Sequence, residues 1–328
     1  MVGQGLISLY PLEKMAIMGF FEIIQHLRFF KKVEKSVLND VINNGYKAII
    51  LIDYPGFNLR IAKKIKNQTT VPIIYYITPQ VWAWKESRIK HLKNYIDEII
   101  TIFPFEKKWF KERNINAHWV GHPYLENHMQ ISEQKAKKNL GINNKEICIS
   151  LFPGSREQEV NRHLKLFINS AKTISKKLKN IRVLLHLADN IKIKETLPNN
   201  FLICRNQQKD VFCASRVAII VSGTTSIEAA TFVTPMIVVY KMNFFTWLLS
   251  KMLVKINFIA MPNIIAEKLV VPEFVQYKAK KKTIVKQAIS ILNDDIYSNE
   301  CMESLRKIKH SLDKGNASMN AAEIIKSI

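Results

Sequence analysis

Short apolar runs, each closed by a turn and followed by a stretch of helical period, recur along the chain and set its plan. AIILID (48–53), PIIYYITP (72–79), EIITIF (98–103) and AHWVGHP (117–123) fall in the first part. EICISLF (146–152), IRVLLHL (181–187), NFLIC (200–204), VAIIVSG (217–223) and PMIVVY (235–240) follow in the second. Runs with so little polar alternation suit strands covered on both faces, the setting of a parallel sheet, and 48–53 reads as a central strand. Strand, turn and helix in series predict an α/β fold with two doubly wound sheets. The polar segment 124–145, ending in Gly141-Ile142-Asn143-Asn144-Lys145, separates the two series. The expected domains are 1–144, 145–282 and a helical tail, 283–328, that packs back on the rest.

Two stretches are apolar beyond this plan. Residues 11–30, PLEKMAIMGFFEIIQHLRFF, read as a helix with a basic exit at Lys31, Lys32 and Lys35, and 244–254 as a second. Glu22 and Lys251 interrupt them, and both fall short of the ~20 residues of a membrane span. An apolar face of this kind serves a core or a lipid surface, and periodicity does not separate the two.

Composition narrows the partners. Lys+Arg 49 against Asp+Glu 27 gives +22 over 328 residues, which favours polyanions such as nucleic acid, an anionic membrane or phosphorylated substrates. No nucleic-acid-binding motif accompanies the charge. Lys107, Lys108, Lys111 and the run 280–282 flank apolar helices, a pairing that suits a peripheral membrane protein. Cys148, Cys204, Cys213 and Cys301 lack zinc-site spacing and fit a reducing compartment.

Glycine is scarce, 10 in the chain, so its placement carries information. In LFPGSRE (151–157) a strand hands over through Gly154 to a helix start, with the Ser155 hydroxyl and Arg156 guanidinium beside the first N–H groups, a setting for a phosphate. The plainer reading is a capped helix. SGTTSIEA (222–229) repeats the device with Ser222, Gly223, Thr224 and Thr225, and Glu228 lies one helical turn after Thr224, where a carboxylate could hold ribose hydroxyls. Asp53, at the carboxyl end of a strand before DYPGFN, and Asn58, near the start of the next helix, occupy the place where ligands bind in open α/β sheets. Asp53 serves equally as a cap. His122 reads as structural or substrate-lining.

In order along the chain, MAIMGFFEII, LIDYPGFNLR, YYITPQVWAWKESRIK, FPFEK, VGHP, LFPGSRE, SGTTSIEA, MPNIIAE and VPEFVQ resemble the lipid-A-disaccharide synthase family of Gram-negative bacteria. The resemblance implies a GT-B glycosyltransferase fold, two Rossmann-like domains facing a cleft. It implies inverting transfer of the diacylglucosaminyl unit of UDP-2,3-diacylglucosamine to the 6-hydroxyl of lipid X (2,3-diacylglucosamine 1-phosphate), releasing UDP, at the cytoplasmic face of the inner membrane. No cofactor and no metal are expected. The implied partners are the two lipid substrates and an anionic membrane surface, not nucleic acid, with a homodimer left open. Asp53 is the expected general base and Asn58 its support. The two glycine turns, with Glu228, Asn263, Glu273 and Gln276, would face the UDP-sugar, and Gln80, Trp82 and His122 the acceptor side.

Two departures qualify the carry-over. Gly56 stands where many relatives carry a second aspartate, so no role passes to that carboxylate. Relatives also begin with a further strand and a glycine-rich turn upstream of Met1, and a chain lacking them is expected to expose a sheet edge, aggregate and be inactive. A different UDP-GlcNAc-type GT-B enzyme and an inactive lipid-binding remnant stay open as alternative readings.

Overall fold

A computed structural model describes residues 5–10, 27–126, 128–243, 247 and 256–328. In chain order the elements are α1 (Leu27–Asn43), β1 (Ile49–Ile52), α2 (Pro55–Lys66), β2 (Ile73–Tyr76), α3 (Ile89–Tyr95), β3 (Glu98–Thr101), α4 (Pro104–Lys111) and β4 (His118–Trp119). They continue with α5 (Glu133–Asn139), β5 (Ile147–Phe152), α6 (Glu157–Lys177), β6 (Ile181–His186), β7 (Phe201–Cys204), α7 (Gln208–Ala214), β8 (Ser215–Val221) and α8 (Thr224–Thr231). Last come β9 (Met236–Tyr240), α9 (Met261–Ala266), β10 (Glu273–Val275), α10 (Lys281–Asn293), α11 (Asp295–Leu312) and α12 (Ala317–Lys326). The strands form sheets of order β1-β2-β3-β4 and β10-β9-β8-β5-β6-β7.

All nine apolar runs became strands. β10 is an addition, because VPEFVQ has a short apolar pattern that carries no strand signal until β9 pairs with it in parallel. The polar segment 124–145 holds a short helix, α5, capped by Ser132, whose hydroxyl accepts from the Lys135 N–H. β1 stands at the end of its sheet order rather than in the middle, and Ile50 is 44% exposed. The apolar stretch 11–26 and nearly all of 244–254 lie outside the described residues. Among the described residues no helix is long and apolar enough to cross a membrane.

Chain contacts define two compact units, one of Met1–Pro79, Ile89–Glu98 and Ile328, the other of Gln80–Arg88 and Ile99–Ser327. In the first, α2 starts on Pro55, whose fixed φ and missing N–H suit a first helical turn, and buries Phe57, Leu59, Ile61, Ala62 and Ile65. In the second, α6 carries Glu157 and Glu159 in its first turn and Lys176 and Lys177 in its last, both matched to the helix dipole. Its face of Val160, Leu164, Phe167, Ile168, Ala171 and Ile174 packs with β5, β6, β8 and the α10 residues Ile284, Ala288 and Ile291. Phe167 is wholly buried there, so its truncation to alanine would cost about 3–5 kcal/mol. The tail helices return to residues 119–126: Lys314 Nζ donates to the Trp119 carbonyl (2.7 Å), and Asn320 Nδ2 to that of Val120 (3.0 Å). β5 and β8, paired in this sheet, end at the two glycine turns.

Candidate active site

In the second unit, β5 gives way to Pro153 and Gly154 before α6 begins. Gly154 has φ +125°, and a Cβ there would lie 2.7 Å from Glu159 Cβ and 2.9 Å from its Oε2. Glycine is therefore required both by the backbone and by the folding of Glu159 over the turn. The N-cap residue of α6, Arg156, makes no side-chain cap bond, and first-turn N–H groups of a helix suit an anion. Ser155 and Arg156 are exposed beside them, and among the described residues Arg156 Nη1 pairs with Glu159 Oε1, at 3.5 Å.

The second turn, between β8 and α8, has Gly223 at φ +148°. Ser222 Oγ donates to the Ile259 carbonyl (2.7 Å) and Ser226 Oγ to that of Gly223 (2.7 Å), so these hydroxyls are engaged within the chain. At the helix start Thr224 is hydrogen-bonded to the Tyr124 side chain, and Thr225 stands beside it. A cavity of about 320 Å³ is lined by Gly154, Ser155 and Thr225 together, with Phe152, His186, Asp189, Asn206 and Gln208 around them. Two turns 68 residues apart in sequence, Ser155 to Gly223, thus serve one cavity.

Glu228 follows Thr224 by one helical turn along α8 and lies outside the cavity lining, next to its residue Gln208. Burial pushes its carboxyl up to about 7, and Gln208 Nε2 donates to its Oε2 (3.3 Å). Much of the cavity lining is supplied by residues that sequence reasoning missed. Asn206, at φ +55°, donates to Asp189 Oδ2 (2.7 Å). The His186 ring stacks on Phe152 at 4.9 Å, and its buried Nε2 has no hydrogen-bond partner among the described residues. Burial, with the Arg205 guanidinium beside it, pushes the imidazole down to about 4. The available signal was the general one, polar residues just after the strands NFLIC and IRVLLHL, at the carboxyl edge of a parallel sheet.

Asn263, Glu273 and Gln276 are used within the chain. Glu273 accepts from the N–H groups of Ile259 (3.0 Å) and Ala260 (2.8 Å) and from Asn263 Nδ2 (3.2 Å). Asn263, wholly buried, also bridges Val270 and Val271. Gln276 exchanges two bonds with the Met242 backbone. All three hold the loop segments that border β9 and β10. Likewise His163 Nε2 accepts the Lys241 N–H (2.9 Å) while Nδ1 meets the Glu159 carbonyl (2.7 Å). That pattern fixes a neutral imidazole with its proton on Nδ1.

Trp82 is buried, its indole N–H donating to Glu106 Oε1 (3.0 Å), whose other oxygen accepts the Phe103 N–H (3.1 Å). Gln80 is exposed and starts the turn that leads to it. His122 is buried, pushed down to about 4 by burial, and stacks on Tyr124 at 5.3 Å while its Nδ1 accepts the Tyr124 N–H.

In the first unit, Asp53 and Tyr54 both have φ +45°, a left-handed pair that costs about 1–3 kcal/mol for each non-glycine residue. The Asp53 carbonyl accepts from Asn58 Nδ2 (2.6 Å) and Tyr75 Oη (2.6 Å), and Asn58 also donates to the Ile52 carbonyl (3.0 Å). The strained turn is held by those bonds, and the Asp53 side chain is left exposed at the end of β1.

The family model for lipid-A-disaccharide synthetase matches residues 1–326. The chain belongs to the lipid-A-disaccharide synthetase family. Lipid-A-disaccharide synthase 1 of Legionella pneumophila is 32% identical over 330 residues, covering 98% of this chain and 85% of that protein. The lipid-A-disaccharide synthase of Coxiella burnetii is 30% identical over 320 residues, covering 96% and 85%. Among solved structures, the UDP-GlcNAc 2-epimerase of Neisseria meningitidis bound to UDP-GlcNAc superposes with TM-score 0.65 at 12% identity, covering 95% of this chain and 83% of that one. The calicheamicin glycosyltransferase superposes with TM-score 0.59 at 12% identity, covering 95% and 81%. These likenesses show the fold, which is the GT-B type expected from the sequence. As a member of the lipid-A-disaccharide synthetase family the chain is a glycosyltransferase of lipid A biosynthesis, and the family assignment favours neither alternative reading of the sequence.

Proposed function

We propose that the chain transfers the 2,3-diacylglucosaminyl unit of UDP-2,3-diacylglucosamine to the 6-hydroxyl of lipid X, with inversion, releasing UDP. The observation that supports this most is the single cavity shared by Gly154, Ser155 and Thr225 at two helix starts. Helix N-termini with an adjacent guanidinium stabilise the charge that develops on a departing diphosphate. Arg156 and the two turns take that role. Glu228 holds the ribose hydroxyls, and the loops pinned by Asn263, Glu273 and Gln276 border the sugar nucleotide.

The acceptor hydroxyl is weakly acidic and must lose its proton as the new C–O bond forms and the bond to the diphosphate breaks. Asp53 accepts that proton. Asn58 and Tyr75 fix the backbone from which the carboxylate projects, so the base is presented without reorganisation. In functional terms residues 1–144 handle the acceptor lipid, 145–282 the UDP-sugar, and 283–328 brace them. The basic helices, α1 with Lys31, Lys32 and Lys35 and α4 with Lys107, Lys108 and Lys111, hold the enzyme on an anionic inner-membrane surface.

The test is UDP release and disaccharide formation from the two diacylated substrates, with UDP-N-acetylglucosamine as the competing donor. Turnover restricted to the diacylated donor is expected. Turnover of the unacylated sugar alone would overturn the proposal.

A further inference from the structure

The two indoles of Trp82-Ala83-Trp84 are put to opposite uses. Trp82 is buried and bonded to Glu106, whereas Trp84 is 41% exposed. Over the Trp84 ring lie two cations, Lys85 Nζ at 4.6 Å from the centroid and Arg88 Cζ at 5.2 Å. The Lys85 ammonium meets that ring and, among the described residues, no carboxylate. Its backbone is held at φ +52°, a conformation that a lysine adopts at a cost. An indole left 41% exposed contributes only part of its surface to packing. Strain spent to place a cation beside it points to a ligand.

We propose that Trp84, Lys85 and Arg88 form a binding site for the phosphate monoester of an amphiphile. Lys85, with Arg88 nearby at the same ring, gives charge-assisted contacts to a doubly charged phosphate, and the indole beside them takes the adjoining apolar part. The segment follows β2 at the carboxyl edge of a parallel strand, the side on which such folds bind ligands. Under the function proposed above, the phosphate is the one carried by the acceptor lipid. The binding site itself does not depend on that function.

Octyl phosphate, below its micelle concentration, is titrated into the full chain and followed by calorimetry, with octyl glucoside, inorganic phosphate and anionic vesicles as comparison probes. Saturable binding of octyl phosphate is expected, weakened about tenfold or more in Lys85→Gln and in Trp84→Ala, and retained in Lys85→Arg. Unchanged melting and circular dichroism of each variant establish that it folds. Equal binding of octyl glucoside would reduce the site to an adhesive indole, and equal binding of inorganic phosphate would make it a simple anion site. A vesicle affinity that falls in Lys85→Gln while octyl phosphate binding does not would reassign the residues to bilayer headgroups. Each of these overturns the proposal. Separately, Lys85→Gln should raise KM for lipid X at constant kcat. Absence of any turnover with both diacylated substrates would remove the proposed function and leave the octyl phosphate result standing.

Discussion

Asn58 Nδ2 donates to the backbone carbonyl of Asp53 over 2.6 Å and to that of Ile52 over 3.0 Å. One amide thus ties the end of β1 to the first turn of α2 across two left-handed residues, Asp53 and Tyr54. Removing it releases the turn while leaving the carboxylate in place. Asn58→Ala should lower kcat about tenfold with donor KM unchanged and destabilise the protein by about 1–3 kcal/mol. Equal kcat in steady-state assays would show that the turn holds itself.

Asp53→Asn keeps the shape of the side chain and removes its basicity. A rate loss of at least ~10²-fold at saturating substrates is expected, with UDP affinity by calorimetry unaltered. A fall in UDP affinity without loss of rate would make Asp53 a binding residue.

Among the described residues Arg156 is more than half exposed with one weak partner, Glu159, so its loss should not disturb the fold. Arg156→Ala should cost on the order of 3 kcal/mol of transition-state stabilisation, read as kcat/KM for the donor, at an unchanged melting temperature. A near-normal kcat/KM returns Arg156 to the surface.

Gly154→Ala brings a methyl group within 2.7 Å of Glu159 Cβ at φ +125°. UDP binding should be lost. The double variant Gly154→Ala, Glu159→Ala should not restore it, because alanine keeps the offending Cβ. Restored binding in the double variant would mean that the Glu159 carboxylate, rather than the backbone, set the requirement.

Two kinds of buried group give opposite pH slopes. His122 and His186 are lowered from 6.5 to about 4 by burial, so the unfolded chain binds more protons between those values. Their contribution is present above about 6.5 and is lost as pH falls through about 4. Glu228 is raised from 4.5 to about 7, so its contribution is fully present below about 4.5 and is lost as pH rises through about 7. Glu228→Gln should remove the second slope from denaturant melts and keep the first. If a ribose binds the carboxylate, wild-type UDP affinity should also rise from pH 6 to pH 8, and this rise should vanish in Glu228→Gln.

The strands were legible in the sequence because a strand buried on both faces needs an uninterrupted apolar run, which nothing else so short requires. The turns were legible because Gly154 and Gly223 occupy backbone conformations that a side chain disfavours. The family was legible in the motifs those constraints leave behind. What only the tertiary structure decided was which polar groups are spent within the chain. Asn263, Glu273 and Gln276 have the chemistry of ligand contacts, yet their hydrogen bonds close on Ile259, Val271 and Met242, partners fixed by the packing of distant loops. The same holds for Trp82 and Trp84, two residues apart and alike in sequence, one turned to Glu106 and the other to solvent. His186 and Asn206 joined the cavity of Gly154 because β6 and β7 end beside β5. Periodicity follows from local sterics and burial and is written along the chain, whereas hydrogen-bond partners depend on strand order, which short-range pattern does not encode.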